Sequence, residues 1–286
     1  MTPALFFRNL TCLDFGYIDN RGKVRGESFH VSVSVRGQVS KEESVILDFS
    51  AGKKKIKNII DDMETGYDHK LLVFSFSDVT YISPASSYCN KNVIIKTPLL
   101  EAFIPKNAVR VCTSSNSNMI LAIEEDLELL LKANLPEFDF NVSLSELGFS
   151  EVGPTYFNYS HGLKSSTSLG CQNIFHGHAS FIEVTDKEGS FDDSLAESIK
   201  YLFHNKVLVF KENIVESRQG YTLIKVDTKD RGVMSCLYSG HDVLILDTET
   251  TIEFMAQHVI QNLGDKLKGY TVSISEGLQK GITFTC

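Results

Sequence analysis

The residues with the most chemistry in them lie just past the middle of the chain. There Cys171-Gln172-Asn173-Ile174-Phe175 runs into His176-Gly177-His178, and Phe157-Asn158-Tyr159-Ser160 runs into His161. After His178 the residue types alternate. Ser180, Ile182 and Val184 fall on one side and Phe181 and Glu183 on the other, which reads as a strand of period two. His176 and His178 then project from one face, close enough to share an ion, and His161 completes the set from a neighbouring strand. Three neutral imidazoles and one open position are what a catalytic zinc ion takes. The same spacing also fits two surface histidines on a hairpin with an unrelated third.

The chain that has to position these residues is 286 residues long with 42% hydrophobic content, enough for one large domain or two of about 140 residues. A net charge of -8 argues against a nucleic-acid partner. No apolar run is long enough for a membrane span, and the N-terminus lacks the basic-then-apolar order of a secretory signal. The six cysteines have no regular spacing, as expected of reduced thiols in the cytoplasm.

The elements come in the same order twice. In the first half, Leu5 to Tyr17 reads as a strand ended by the turn Asp19-Asn20-Arg21-Gly22. Phe29, Val31, Val33 and Val35 mark a second strand, and Val45 to Phe49 is expected to close the hairpin. A helix capped by Ser50 follows, with Ile56, Ile59, Ile60 and Met63 inward and Lys53, Lys54 and Lys55 outside. Past Asp68-His69 the chain is strand-like as far as Arg110. A second helix then carries Ile120, Ile123, Leu127, Leu130 and Leu131 on one face, and Val142 to Glu146 is the last strand. Gly148 to Thr155 forms the junction. In the second half come strands at Tyr156 to Ser160 and Ala179 to Thr185, a helix with Leu195, Ile199, Leu202 and Phe203 inward, and then His204. After three β-rich segments, a helix has Ile252, Met255, Val259, Ile260 and Leu263 inward, and the strand Tyr270 to Glu276 closes the half. His69 and His204 hold matching places, as do Glu146 and Glu276. This pattern points to duplication of one unit, at 1–148 and 149–286, each with a sheet that carries helices on one side. The bare face of each sheet requires cover, for which intertwined or barrel-forming oligomers are the natural source.

This order and these residues resemble the 6-pyruvoyl tetrahydropterin synthase family, which includes the 6-carboxy-tetrahydropterin synthases of queuosine biosynthesis. The resemblance covers nearly the whole chain as two degenerate units. It implies an α+β tunnelling fold, with a four-stranded antiparallel sheet and two helices on one face in each unit. It also implies subunits joined into barrels, here a homo-oligomer with a trimer favoured, a pterin-like small-molecule substrate, and neither nucleic acid nor membrane as partner. On that resemblance His161, His176 and His178 bind zinc, and Cys171 is the acid-base cysteine, with one residue more than the family spacing before His176. Glu276 anchors the pterin ring, and Thr251-Ile252-Glu253 matches the helix motif without its proline, so that Thr251 and Glu253 join the substrate-binding set. His204 matches the catalytic histidine, but Phe203 stands where an aspartate belongs.

The first unit departs in the complementary way. Arg25-Gly26-Glu27 replaces the His-Gly-His motif, and only Asp14 stands near the place of the first-strand histidine, so no zinc is expected there. Asp68-His69 is intact, and Glu146 holds the anchor position. The implied arrangement is one composite site, with Cys171, zinc and Glu276 from the second unit and the catalytic Asp68 and His69 from the first. The activity implied is that of a zinc-dependent 6-carboxy-tetrahydropterin synthase-like lyase acting on 7,8-dihydroneopterin triphosphate. The alternatives are a 6-pyruvoyl tetrahydropterin synthase and a non-catalytic scaffold that has kept its zinc.

Overall fold

The computed structural model describes residues 3–42, 44–86, 89–146 and 155–286. The first half runs β1 (Ala4–Ile18), β2 (Val24–Arg36), α1 (Phe49–Ile60), β3 (Leu71–Phe74), β4 (Tyr81–Ser86), β5 (Cys89–Thr97), β6 (Leu100–Pro105), β7 (Val109–Cys112), α2 (Met119–Asn134) and β8 (Asp139–Ser145). The second runs β9 (Thr155–His161), β10 (His176–Thr185), α3 (Asp193–Phe203), β11 (Lys206–Phe210), β12 (Ile214–Arg218), β13 (Tyr221–Thr228), β14 (Gly232–Ser239), β15 (Val243–Leu246), α4 (Ile252–Leu263), β16 (Thr271–Glu276) and β17 (Lys280–Thr285). The expected junction lies outside the described residues except for Thr155.

Local chemistry sets these boundaries. Asp19 closes the first hairpin by accepting the N–H groups of Arg21 and Lys23, and Gly22 takes the left-handed conformation that the turn needs. α1 is capped by Asp48, which accepts the N–H of Ala51 at 2.7 Å, and not by Ser50, which lies inside the helix. Val45 to Leu47 forms a bend where a strand was expected, because Val45 turns its carbonyl back to the Ser40 N–H. Ile56 and Ile60 of α1 and Ile123, Leu127 and Leu131 of α2 pack onto Leu13, Phe15, Phe29 and Val31. α3 and α4 cover Phe157, Ile182, Val184 and Ile274 in the same way. Burying each such side chain contributes roughly 1.5–3 kcal/mol. Ile260, expected inward, is 44% exposed.

The fold is mixed α+β, with four α-helices among the described residues. The first sheet has the order β7-β3-β1-β2-β8 and the second β15-β11-β9-β10-β16-β17. Neither is the expected four-stranded antiparallel sheet. β3 runs parallel to β1 and β7 parallel to β3, just as β11 runs parallel to β9 and β15 to β11. The helix between β2 and β3 carries the chain back across the sheet before the next strand begins, and such a crossover delivers a parallel neighbour. β17, beyond the expected end at Glu276, extends the second sheet by pairing with β16.

The remaining strands build a third sheet, β12-β13-β14-β6-β5-β4, joined between the halves where Ser235 to Tyr238 pairs with Phe103 to Leu100. It supplies Ile95, Ile104, Ile224, Val226 and Met234 to a core shared with Leu71 and Val73 of β3 and Val207 and Val209 of β11. This part of the face away from the helices is therefore covered from within the chain.

The two long hairpins meet at two glycines. A Cβ on Gly177 would stand 2.4 Å from the Gly26 Cα, and one on Gly26 would stand 1.9 Å from the Tyr159 carbonyl oxygen. Backbone touches backbone here, which only glycine permits. Both glycines are the middle residues of the motifs Arg25-Gly26-Glu27 and His176-Gly177-His178, so the crossing brings first-half residues up to the histidines.

Candidate functional site

β9 and β10 pair with His161 directly opposite His176, and Gly177 turns His178 to the same side as its neighbour one pleat away. The ligand nitrogens of His161, His176 and His178 lie within 4.8 Å of one another, and all three side chains are buried. In each ring Nδ1 faces an oxygen. His161 Nδ1 is 2.8 Å from the Thr250 carbonyl, His176 Nδ1 is 2.7 Å from the Asn173 carbonyl, and His178 Nδ1 is 3.1 Å from Asp14 Oδ1. At His161 and His176 the acceptor at Nδ1 fixes the tautomer that leaves Nε2 bare, whereas His178 Nδ1 lies at ion-pair distance from Asp14 without a hydrogen bond. The three Nε2 atoms are buried without a hydrogen-bond partner. Burial, and then the neighbouring His178, push His161 down to about 3, and burial with His161 and His69 holds His176 well below its ordinary value. Convergent, buried and unpartnered nitrogens, with His161 and His176 held neutral, fit a transition-metal ion, which needs deprotonated ligands.

Beside this cluster the structure brings together Asp68, His69 and Cys171, from opposite halves of the chain. Cys171 Sγ is 3.7 Å from His69 Nε2, and His69 Nδ1 is 2.6 Å from Asp68 Oδ2. The other Asp68 oxygen accepts the N–H of Asp14, so β1 holds the pair in place. His69 has a φ of 56°, a left-handed turn just before β3, and its N–H donates to the Asp14 carbonyl. Burial raises the Cys171 thiol, but the hydrogen bond and charge of His69 outweigh it and hold the thiol below its ordinary value. Burial likewise lowers His69, and Asp68 overcomes it and raises the imidazole well above its ordinary value. Together they make a thiolate-imidazolium pair steadied by a carboxylate. His69, Cys171 and His176 also form a ligand-competent group within 4.8 Å, though only His176 of the three is fully buried.

Glu276 faces this centre as well. Burial raises its carboxyl, but His178 and His161, followed by Lys280, hold it below the usual range, and Lys280 Nζ lies 3.4 Å from Glu276 Oε2. The other expected residues fall elsewhere. Thr251 caps α4 without a side-chain hydrogen bond and Glu253 is exposed in its first turn; it is Thr250, one residue earlier, that holds His161. Glu146 is exposed beyond β8, and its charge acts on Glu27. His204 accepts the Asn158 N–H at 3.3 Å and lies 2.8 Å from the Asn205 amide, which turns it to contacts outside the histidine cluster.

The register explains His204. His69 donates its N–H to the Asp14 carbonyl, and Asn205 donates its N–H to the Asn158 carbonyl. Both His69 and Asn205 have positive φ, 56° and 61°. Asn205 therefore occupies the place of His69, and His204 that of Asp68, one residue away from the sequence match. By the same register Tyr17, opposite Arg25, takes the place of His161, opposite His176, and Asp14 is not the counterpart of that histidine. Asp14, Thr250, Asn173 and Lys280 are the site residues that sequence reasoning missed. Only Asn173, three residues before His176 and two after Cys171, carried a local signal.

No protein-family model matches the chain, and no curated protein matches it. Among solved structures, 6-pyruvoyltetrahydropterin synthase from Plasmodium vivax is 21% identical, covers 51% of this chain and 92% of its own, and has a TM-score of 0.36. A catalytic-residue mutant of that enzyme gives the same values. The 6-pyruvoyl tetrahydropterin synthase of Plasmodium falciparum is 19% identical over 51% of this chain and 91% of its own, with a TM-score of 0.34. At these scores the likeness fixes neither fold nor activity for this chain. No helix among the described residues is long and apolar enough to cross a membrane.

Proposed function

We propose that the chain is a metal-dependent lyase of the pterin synthase type. In this reading it is a zinc-dependent 6-carboxy-tetrahydropterin synthase-like enzyme acting on 7,8-dihydroneopterin triphosphate. It is built from two tunnelling-fold units at 1–148 and 149–286, works in the cytoplasm and assembles as a homo-oligomer, with a trimer favoured. The observation that carries this reading is the meeting of Cys171 with Asp68-His69 beside the buried His161, His176 and His178, within one chain.

His161, His176 and His178 hold the metal, which when bound supplies a Lewis acid for a carbonyl or hydroxyl oxygen of the substrate side chain. Cys171, as thiolate, takes a proton from the adjacent carbon. His69 holds the thiol below its ordinary value, which favours the thiolate. His69 carries the balancing positive charge and is the acid that returns a proton, with Asp68 fixing its tautomer through Nδ1. Glu276 accepts two N–H bonds from the guanidine-like edge of the ring. The 3.7 Å between Cys171 and His69 supports this role for the thiol despite the extra residue before His176.

The test is metal content together with turnover of 7,8-dihydroneopterin triphosphate. One zinc per chain, with turnover lost in Cys171→Ala and His69→Ala and kept in His204→Ala, is the expected result. Product analysis separates the carboxy-type from the pyruvoyl-type reaction. Zinc without turnover, with Cys171→Ala and His69→Ala altering stability alone, would make the chain a zinc-containing scaffold and end the lyase reading.

A further inference from the structure

A triphosphate substrate needs positive charge, and the basic residues that stand out in the sequence do not provide it at this site. Lys53, Lys54 and Lys55 are exposed on α1, and Arg25 is held by Asp19 at 3.0 Å and by the Asn205 carbonyl at 3.1 Å. A cleft of about 980 Å³ does carry such charge. Its walls include Lys91, Lys106, Arg110 and Arg231, with Glu64 and Leu169. Buried Lys70 lies behind it, donating to the Asn107 carbonyl at 2.6 Å.

The acids in this cleft offset the cations only in part: the charge of Glu64 acts on Arg231 and Lys70, but among the described residues neither Glu64 nor Asp230 forms an ion pair with them. Glu64 accepts from the Asn107 amide at 2.8 Å, and Asp230 accepts from the Gln172 amide at 2.9 Å. Among the described residues, Lys91, Lys106 and Arg231 have no ion-pair partner; Arg110 has Asp126 at 3.2 Å. Arg231 donates Nη2 to the Asn107 carbonyl at 2.9 Å, while its Nη1 and the Arg110 Nε are buried without partners. Burial, and then the nearby Arg231, push the Lys70 ammonium down to about 8, and burial pushes Arg231 down to about 10. Crowded, under-compensated cations with spare N–H donors suit a polyanion with many acceptor oxygens.

The cleft also adjoins the reacting groups. Leu169 lies two residues before Cys171, a reach of at most about 7 Å along the chain. Gln172 grips Asp230 with both ends of its amide, at 2.9 Å each. Asn173 donates to the carbonyls of His69 at 2.9 Å and Ala108 at 3.0 Å. One loop, 169–173, therefore forms part of the cleft wall and presents Cys171. A volume of this size accommodates a ligand fragment of drug-like dimensions.

We propose that this cleft is an oligophosphate-binding site, and that it holds the triphosphate tail of the substrate while the reacting carbons lie at Cys171 and His69. The second half of the proposal rests on the lyase reading above. The site draws on both halves of the chain, Lys91, Lys106 and Arg110 from the first and Arg231 from the second.

The experiment is calorimetric titration of the full chain with inorganic triphosphate, on wild type and on Arg231→Gln, Lys106→Gln and Lys53→Gln, followed by competition of triphosphate against substrate turnover. Lys106 is exposed, so its variant keeps the test independent of folding. Wild type is expected to bind one triphosphate per chain. The Arg231 and Lys106 variants should each bind about tenfold more weakly, the loss of one charge-assisted contact, with Lys53→Gln unchanged. In turnover the same two variants should raise KM, and triphosphate should compete with substrate. No binding by wild type, or equal binding by all variants, overturns the site. Binding without competition overturns the assignment to the substrate tail. Triphosphate binding in a protein that turns over no pterin leaves the oligophosphate site standing and removes the lyase reading. Turnover with KM unchanged in both variants does the reverse.

Discussion

Asp14 offers a direct test of whether the first half of the chain supports a metal held by the second. Its side chain is 5% exposed, and one oxygen faces His178 Nδ1 at 3.1 Å while also accepting the Ser28 hydroxyl. Burial would raise this carboxyl, but His178, together with His69 and Ser28, holds it well below the usual range, so it is an anion at any working pH. An anion at Nδ1 orients the ring and makes Nε2 a better donor. Removing such an outer partner costs about 10- to 100-fold in metal affinity, or roughly 1.4–2.8 kcal/mol. Asp14→Asn keeps a carbonyl acceptor and loses only the charge, so it belongs near the tenfold end of that estimate. Asp14→Ala removes both and belongs near the hundredfold end. The assay is competition for zinc against a chromophoric chelator, with His178→Ala as the reference for loss of a ligand. Thermal unfolding of the metal-free proteins separates a folding defect from a metal defect. If Asp14→Ala binds zinc as tightly as wild type while His178→Ala does not, the carboxylate does not support the metal and the composite reading loses its strongest contact between the halves.

Cys171 should be the cysteine alkylated fastest at neutral pH. Burial raises the thiols of Cys12, Cys112 and Cys236, whereas Cys171 is lowered by His69, and His69→Gln should slow its alkylation by about tenfold or more as the thiolate fraction falls; peptide mass mapping reads the rate at each site. Burial raises Glu27 from 4.5 to about 7, so the folded state resists its ionisation. The resulting destabilisation is absent below the unfolded value, grows through that window and is complete above it, with a ceiling of about 3 kcal/mol. Glu27→Gln, which keeps an acceptor for the Tyr156 hydroxyl at 3.0 Å, should therefore stabilise the protein in denaturant melts at pH 8 and leave it unchanged at pH 4. Metal analysis should return one ion per chain, and two would show that the Arg25 side of the crossing also binds.

The sequence revealed most where a local period reports burial and least where a partner lies far along the chain. β1, β2, α2 and β10 follow from alternation or from helical stripes, and the histidine cluster follows from His176 and His178 sharing one face of a strand. The third sheet did not emerge, because β4 to β6 and β12 to β14 pair locally as hairpins, while the seam of β14 with β6 that makes them one sheet joins the two halves and lies in no local window. His204 went astray for a related reason. Two histidines at similar distances into the halves looked equivalent, while the backbone aligns by the left-handed residue that precedes the parallel strand, His69 in one half and Asn205 in the other. Asp14 is equally opaque to sequence. It sits more than 160 positions from His178 (178 − 14 = 164), and only the glycine contact of Gly26 with Gly177 makes them neighbours.

That contact also explains why the two sides of the crossing differ chemically. The hairpins approach through matching motifs, so each side has three positions equivalent to the histidines of the other. On one side these are His161, His176 and His178, and on the other Tyr17, Arg25 and Glu27. A guanidinium has no lone pair to give and carries its own charge. Arg25 is already neutralised by Asp19 and tied to the Asn205 carbonyl, and Glu27 accepts the Tyr156 hydroxyl. This side thus carries a fixed cation and its hydrogen bonds, which fill the crossing. With Asn205 in the place of His69 and His204 in that of Asp68, it also lacks a histidine-carboxylate pair. The first half nevertheless supplies Asp14, Asp68 and His69 to the other side. Ligand-competent residues on one side of the crossing, with contributions from both halves of the chain, are what the proposed single composite site per chain requires.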